Sequence, residues 1–288
     1  MQGRIVAAHG RLYLVELADG SRLPCFPRGK KSEVAVGDQV DVARASVDQG
    51  VIEGISPRRS LLYRSNEIRQ KLIAANVDQL VVVVATEPAF SDELITRSLL
   101  AAEDQGIDIL IVLNKCDLSD KLPAARERLQ LFTRLGYRIH EISARLQAED
   151  LRPELLGKTS VLVGQSGMGK STLVNALIPN AGAATREISL ALDSGKHTTT
   201  HATLYHLDPH SQLIDSPGLQ EFGLGYLDRD DLAHAFREFR PFLGQCRFRN
   251  CQHDSEPGCA LSAAAERGEI DSRRLALFRR IAAAHQAR

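Results

Sequence analysis

Over residues 1–60 the chain alternates apolar and polar positions in short runs: Ile5–Ala7, Leu12–Leu17, Ser21–Leu23, Gln39–Ala43 and Val51–Ile55. Turn signals separate them at Ala18-Asp19-Gly20, Gly29 and Val36-Gly37-Asp38. Runs of this length and period predict strands, and a succession of them predicts a small β-barrel. The spacing is compatible with an OB-fold or an SH3-like barrel. From Ser56 to Lys71 the periodicity is lost. That stretch carries Arg58, Arg59, Arg64, Arg69 and Lys71 against Glu67 and reads as a basic connector opening near Pro57.

Beyond residue 75 the pattern changes to apolar runs alternating with helical spacing. Asp78–Ala85 and Asp108–Leu113 are nearly continuous apolar strands of the kind buried on both faces of a parallel sheet. Leu94–Gln105 and Leu122–Leu135 have helical spacing and end at Gly106 and Gly136. Arg138–Ile142 and Ser160–Val163 continue the strands, and Thr172–Leu177 reads as a helix. Ala202–Leu207 and Ser211–Ile214 pair across the turn Asp208-Pro209-His210. The alternation predicts a doubly wound α/β domain. Toward the C-terminus, Asp228–Phe239 predicts a helix with Leu232, Ala235, Phe236 and Phe239 on one face. A last helix capped by Asp271 turns Leu275, Phe278 and Ile281 inward and Arg273, Arg274, Arg279 and Arg280 largely outward.

Composition adds little to this outline. The 288 residues hold 36 basic and 36 acidic side chains, so the net field makes no case for nucleic acid and any such contact must be local. Arg28-Gly29-Lys30-Lys31, between two strands, is one candidate, with a solvated loop as the alternative. The N-terminus is too polar for a signal peptide, and no apolar run approaches the ~20 residues that cross a bilayer. A cytoplasmic protein without membrane contact is expected. Disulfides are not expected among its five cysteines.

The chemistry begins at Gly164-Gln165-Ser166-Gly167-Met168-Gly169-Lys170-Ser171-Thr172, which fits the phosphate-loop pattern between a strand and a helix. Its glycines let backbone N–H groups approach phosphates. The new helix turns its positive end toward them, Lys170 adds charge at the β/γ-phosphates, and Ser171 is a Mg2+ ligand.

Asn114-Lys115-Cys116-Asp117, at the carboxyl end of a buried strand, resembles the NKxD motif of GTPases, whose Asp reads the guanine edge. Ser143-Ala144 resembles the backbone-donor motif for the guanine carbonyl. Asp215-Ser216-Pro217-Gly218 resembles DxxG, in which the Asp reaches Mg2+ and the Gly N–H senses the γ-phosphate. Thr198-Thr199-Thr200 resembles the switch loop whose Thr binds the same Mg2+, with Thr199 the first choice and Thr200 the second. The cofactors implied are GTP or GDP and Mg2+. Conventional GTPases run phosphate loop, Thr switch, DxxG, NKxD, SA. This chain starts at NKCD and finishes at DSPG, a circular permutation that leads the switch straight into the C-terminal region.

That region carries Cys246-x4-Cys251-x-His253-x5-Cys259, three thiolates and an imidazole that make a closed, structural Zn2+ site.

With the barrel, the permuted motifs, GKHTTT and the segment Cys246 to Ala260, the chain resembles the ribosome small subunit-dependent GTPase A family (RsgA, also called YjeQ) over nearly its whole length. The resemblance implies a multidomain α/β protein: an OB-fold β-barrel over 1–60, a basic linker over 61–74, a circularly permuted P-loop GTPase domain over 75–225 and a mainly helical zinc module over 226–288. It further implies a cytoplasmic GTPase, expected as a monomer, that acts late in small-subunit maturation, contacts ribosomal RNA and is stimulated by the small ribosomal subunit. Lys196 stands where the family leads one to expect Arg. Leu219 holds the place of the usual water-orienting Gln, with Gln220 one position on, and the resemblance makes His197 the candidate for that role beside Lys170 and Thr199.

Overall fold

The structure, a computed structural model of the full chain, describes residues 1–29, 33–66, 69–179, 181, 202–216, 222, 224 and 226–286. Five strands, β1 (Gln2–His9), β2 (Leu12–Leu17), β3 (Arg22–Pro27), β4 (Gln39–Arg44) and β5 (Gly50–Ile55), pair in the order β1-β2-β3-β5-β4, and β4 pairs back on β1. The β3–β5 pairing is parallel and the others antiparallel. This closed ring is the OB-type barrel, an assignment that strand spacing alone left open.

The stretch expected to be a basic connector is instead a hairpin, β6 (Leu61–Asn66) with β7 (Arg69–Ala75). Its preceding arginines are engaged within the protein. Arg58 grips the wholly buried Asp38 of the barrel through two bonds of 2.7 Å, and Arg59 meets Asp78 at 2.7 Å. Arg58 thus ties the segment before the hairpin to the barrel and Arg59 ties it to the start of the sheet that follows, and both are engaged in ion pairs.

That sheet contains β8 (Gln79–Ala85), β9 (Asp108–Asn114), β10 (Arg138–Glu141), β11 (Thr159–Val163), β12 (Thr203–Asp208) and β13 (Ser211–Asp215) in the spatial order β10-β9-β8-β11-β13-β12. All neighbours are parallel except β12 with β13. Every residue of β8 and β11 is buried, which is why β8 reads as a nearly continuous apolar run and β11 ends in one. The chain moves outward from β8 through β9 to β10, then returns to place β11 on β8's other side. A crevice opens where the direction reverses, at the carboxyl ends of β8 and β11. Among the described residues no strand after β13 re-enters the sheet, as the permuted motif order requires.

The sheet also continues into the barrel. β1 lies antiparallel to β12 with Ala7 opposite Thr203, and the joint is braced by Arg4 on Gln212 at 3.0 Å and His206 against Glu16 at 2.7 Å.

Helix α1 (Asp92–Asp104) starts at Ser91, whose Oγ accepts from the Leu94 N–H, and it is followed by α2 (Leu122–Arg134), α3 (Arg152–Leu155) and α4 (Lys170–Leu177). In the C-terminal region, α5 (Arg229–Ala235) is capped by Asp228 and gives way to a 3-10 turn over Arg237–Phe242; α6 (Ala260–Glu266) and α7 (Ser272–Gln286) complete it. The single helix expected over 228–239 is broken at Phe236, which takes an extended conformation ahead of a turn containing Pro241. That break lets Phe236 stack on Phe239 at 4.6 Å, with Phe278 edge-on to both.

The basic face expected on the last helix is largely consumed by the fold. Arg274, expected outward, is 2% exposed and bonds Glu238 at 2.6 Å and Thr96 of α1 at 2.7 Å. Arg280 pairs with Glu93 of α1, Arg273 with Asp271, and Arg279 donates to the His253 carbonyl and to Ser262. Glu103 of α1 accepts from both Arg237 and Arg240. Helix α1 is therefore the strut on which the C-terminal module is docked.

Candidate functional site

At the switch-point crevice, β11 ends at Val163 and the loop runs from Gly164 to Lys170, the first residue of α4. A side chain at Gly169 would strike the Asn114 amide, and the residue has φ +92, so both space and backbone require glycine. Met168 is buried in the core and anchors the loop, whereas Ser166 and Gly167 form its exposed crest. Ser171 and Thr172 open the first turn of α4 and are also exposed.

Asn114 is the junction of the site. Buried at the end of β9, its Nδ2 donates to the Met168 carbonyl of the phosphate loop at 2.9 Å. Its Oδ1 accepts from the Lys115 N–H at 2.7 Å and from the Ala144 N–H at 2.9 Å. One side chain therefore ties together the phosphate loop, NKCD and Ser143-Ala144, three segments separated widely in sequence. The Cys116 N–H donates to the Ile142 carbonyl, which locks the same two loops a second time, and its thiol donates to the Leu113 carbonyl. Asp117, the last residue of NKCD, lies exposed beside this framework. Lys115 has φ +61 and donates Nζ to the Glu87 carbonyl at 2.8 Å.

The loop 86–91, after β8, has no motif in the sequence, yet it bridges the site. Thr86 Oγ1 donates to the Lys115 carbonyl at 3.0 Å, Pro88 lies against Gly167, and the Ser91 N–H donates to Gln165 Oε1 at 2.9 Å. Only the sheet order, which sets β8 between β9 and β11, could have pointed to it.

Lys170 spans the loop, its Nζ donating to the carbonyls of Gly164 and Gln165 at 2.5 and 2.8 Å. Burial lowers its pKa, an effect opposed by the charge of Asp215. Asp215 ends β13 and registers with Leu162 of β11. Burial raises its pKa, offset in part by Lys170. The buried carboxylate of Asp215, which senses the charge of Lys170, and the hydroxyl of Ser171, the next residue along from that lysine, are hard-oxygen donors of the kind that hold Mg2+. His197, Thr199, Thr200 and Gly218 lie outside the described residues.

Cys246, Cys251, His253 and Cys259 bring their donor atoms within 4.8 Å of one another. His253 Nδ1 lies 3.5 Å from Cys246 Sγ and 3.6 Å from Cys259 Sγ. Tetrahedral Zn2+ with ordinary Zn–S and Zn–N bonds has S···N edges of about 3.6 Å, so the donor set fits zinc. The His253 and Ala260 N–H groups donate to Cys251 and Cys246 sulfur. Such bonds orient thiolate ligands.

A strand-loop-helix phosphate cradle at the switch point of a permuted α/β sheet, preceded by an OB-type barrel, defines a circularly permuted P-loop GTPase. The sequence model of the RsgA GTPase family matches residues 55–225. The chain is 56% identical over 282 residues to the small ribosomal subunit biogenesis GTPase RsgA of Burkholderia pseudomallei strain K96243, spanning 96% of this chain and 90% of that protein. It is 55% identical over 284 residues to the protein of the same name from Bordetella pertussis, covering 97% and 95%. Among solved structures, YjeQ from Thermotoga maritima superposes with a TM-score of 0.75 at 31% identity over 100% of this chain and 99% of that one. YloQ, described as a circularly permuted GTPase, gives 0.70 at 27% over 99% and 95%. The chain belongs to the RsgA GTPase family.

Proposed function

We propose that this protein hydrolyses GTP as a maturation factor of the small ribosomal subunit, with turnover stimulated by that subunit and hydrolysis switching the protein from binding to release. The observation that carries the proposal is the Asn114 junction, which places a guanine-type motif against the phosphate loop in a chain 56% identical to a small-subunit biogenesis GTPase. In this reading Asp117 accepts the N–H groups of the guanine edge, and Asn114 orients Ser143-Ala144 toward the base. The backbone of Gly164 to Thr172 cradles the phosphates. Ser171, Asp215 and Thr199 would hold Mg2+, which would supply positive charge for phosphoryl transfer. Lys170 supplies further charge, and Thr200 and Gly218 complete the switch. His197 orients the attacking water. The nucleotide domain then spans 75–225 and the zinc module 226–288, with Zn2+ on Cys246, Cys251, His253 and Cys259. A monomer working in the cytoplasm fits the role. Among the described residues no helix is long and apolar enough to cross a membrane.

Phosphate release from GTP with isolated small or large subunits tests the proposal. Acceleration by the small subunit alone is expected. Equal acceleration by the large subunit, or none by either, would overturn it.

A further inference from the structure

Between the ligand-type residues Cys246 and Cys251 lies a spur, Arg247-Phe248-Arg249-Asn250, in which all four side chains face solvent. Phe248 is 42% exposed, and Arg247 places its guanidinium 5.5 Å from the ring centroid. Most large apolar side chains of the module are buried in the Phe236, Phe239 and Phe278 cluster, so this aromatic ring is set outside a core with which it could have packed. The cations around it are also distinctive. The arginines of α7 are taken up by Glu93, Glu238, Asp271 and Ser262, whereas Arg247 and Arg249 form no ion pair among the described residues. The nearest acids in sequence are Asp254, which faces Arg279 at 4.0 Å, and Glu256, whose two carboxylate oxygens accept from the Gln252 and Asp254 N–H groups. Among the described residues, two cations without a carboxylate partner thus flank an exposed ring in sequence.

The backbone of the spur is fixed. The Arg247 N–H donates to the Gly258 carbonyl at 3.0 Å and the Cys251 N–H to the Phe248 carbonyl at 3.2 Å. Gly258 has φ +77, and a side chain there would strike the Arg247 stem, so the base of the spur is packed closely. A preorganised aromatic face flanked by free cations matches an unpaired nucleotide, whose base stacks on the ring while its phosphates meet the arginines. We infer that the Arg247–Asn250 spur is a stacking platform for an unpaired base of single-stranded RNA. The inference rests on the proposed ribosomal role and adds to it the chemical class of the contact and the residues that make it.

The chain contains no tryptophan, so Phe248→Trp introduces a single reporter at the platform. With the full zinc-loaded chain, a single-stranded oligouridine of about twelve nucleotides should quench that emission and bind within about threefold of the unaltered protein. Phe248→Ala should weaken the same RNA by about tenfold while leaving duplex RNA of equal length unaffected. Arg249→Ala should lower the slope of log affinity against log salt by about 0.7. Zinc content and subunit-free GTP turnover should be unchanged in each variant. Unquenched emission, or an unchanged single-strand affinity in Phe248→Ala, would overturn the inference. Quenching by polyglutamate but not by RNA would assign the spur to an acidic protein and overturn it equally. If Phe248→Ala loses zinc, the emission of Phe248→Trp decides. These outcomes do not depend on the subunit assay: stimulation by small subunits without quenching removes the platform and leaves the proposed function standing.

Discussion

Asn114 donates to the carbonyl of Met168 at 2.9 Å, and through that bond the loop that follows β9 holds the loop that follows β11. The same amide accepts two backbone N–H groups, so its three bonds fix the relative position of the base-side and phosphate-side loops. Asn114→Ala leaves buried donors and an acceptor unpaired, at a cost of about 2–3 kcal/mol. Nucleotide affinity, measured by titration with a fluorescent GDP, should fall between about tenfold and a hundredfold. Asn114→Asp keeps the acceptor but sets a buried carboxylate oxygen against the Met168 carbonyl, so its loss should be at least as large. A smaller loss in Asn114→Asp would show that the bond to Met168 is dispensable.

Arg274 and Glu238 form a nearly dry ion pair, 2% and 7% exposed, against Thr96 of α1. Removing one partner strands a buried charge, so Arg274→Met or Glu238→Leu should each cost about 3–5 kcal/mol in denaturant unfolding. The double replacement should recover much of that loss, because two apolar groups leave no charge to solvate. Additive losses would contradict this account.

Burial of Asp215 makes the stability of the fold depend on pH. Its folded pKa is raised by burial above the unfolded value of 3.8, so folding favours the protonated form. The stabilisation is complete below the unfolded pKa and is lost as pH rises through the folded one. In the absence of nucleotide, Asp215→Asn should therefore unfold later than the unaltered protein at neutral pH, by about 1 kcal/mol, and the gap should close in acid. The same variant should lose Mg2+-dependent nucleotide affinity. Thermal scans across pH, with and without Mg2+ and nucleotide, check both arms.

The Cys246, Cys251, His253 and Cys259 set should bind one Zn2+ per chain by elemental analysis. Cys259→Ser should lower the zinc content and loosen the α6–α7 end first, because Ala260 opens α6 directly after this ligand. Hydrogen exchange should rise there while the Asn114 junction keeps its protection. Acidification should release zinc, since thiolates and imidazole must be deprotonated to bind. Loss of protection at both places together would show that zinc holds the whole chain.

Much of this protein was determined by its sequence alone, because the relevant chemistry is local. The phosphate loop needs glycines, a lysine and a hydroxyl at fixed spacing between a strand and a helix. The zinc set needs four ligands within one short segment, and the apolar runs at β8, β9 and β11 announce a buried parallel sheet. The order of these pieces along the chain exposed the permutation. Tertiary structure decided what depends on partners distant in sequence. Strand spacing does not specify the β3–β5 and β1–β4 pairings that close the barrel, nor the Ala7–Thr203 register that joins it to the sheet. The connector became a hairpin because β6 and β7 satisfy each other's backbone groups. Arginine placement was the least legible feature: Arg58 and Arg274 resemble solvated cations in sequence, yet Asp38 and Glu238 make their burial tolerable. A charge is placed by the opposite charge that meets it, and only folding brought those pairs together.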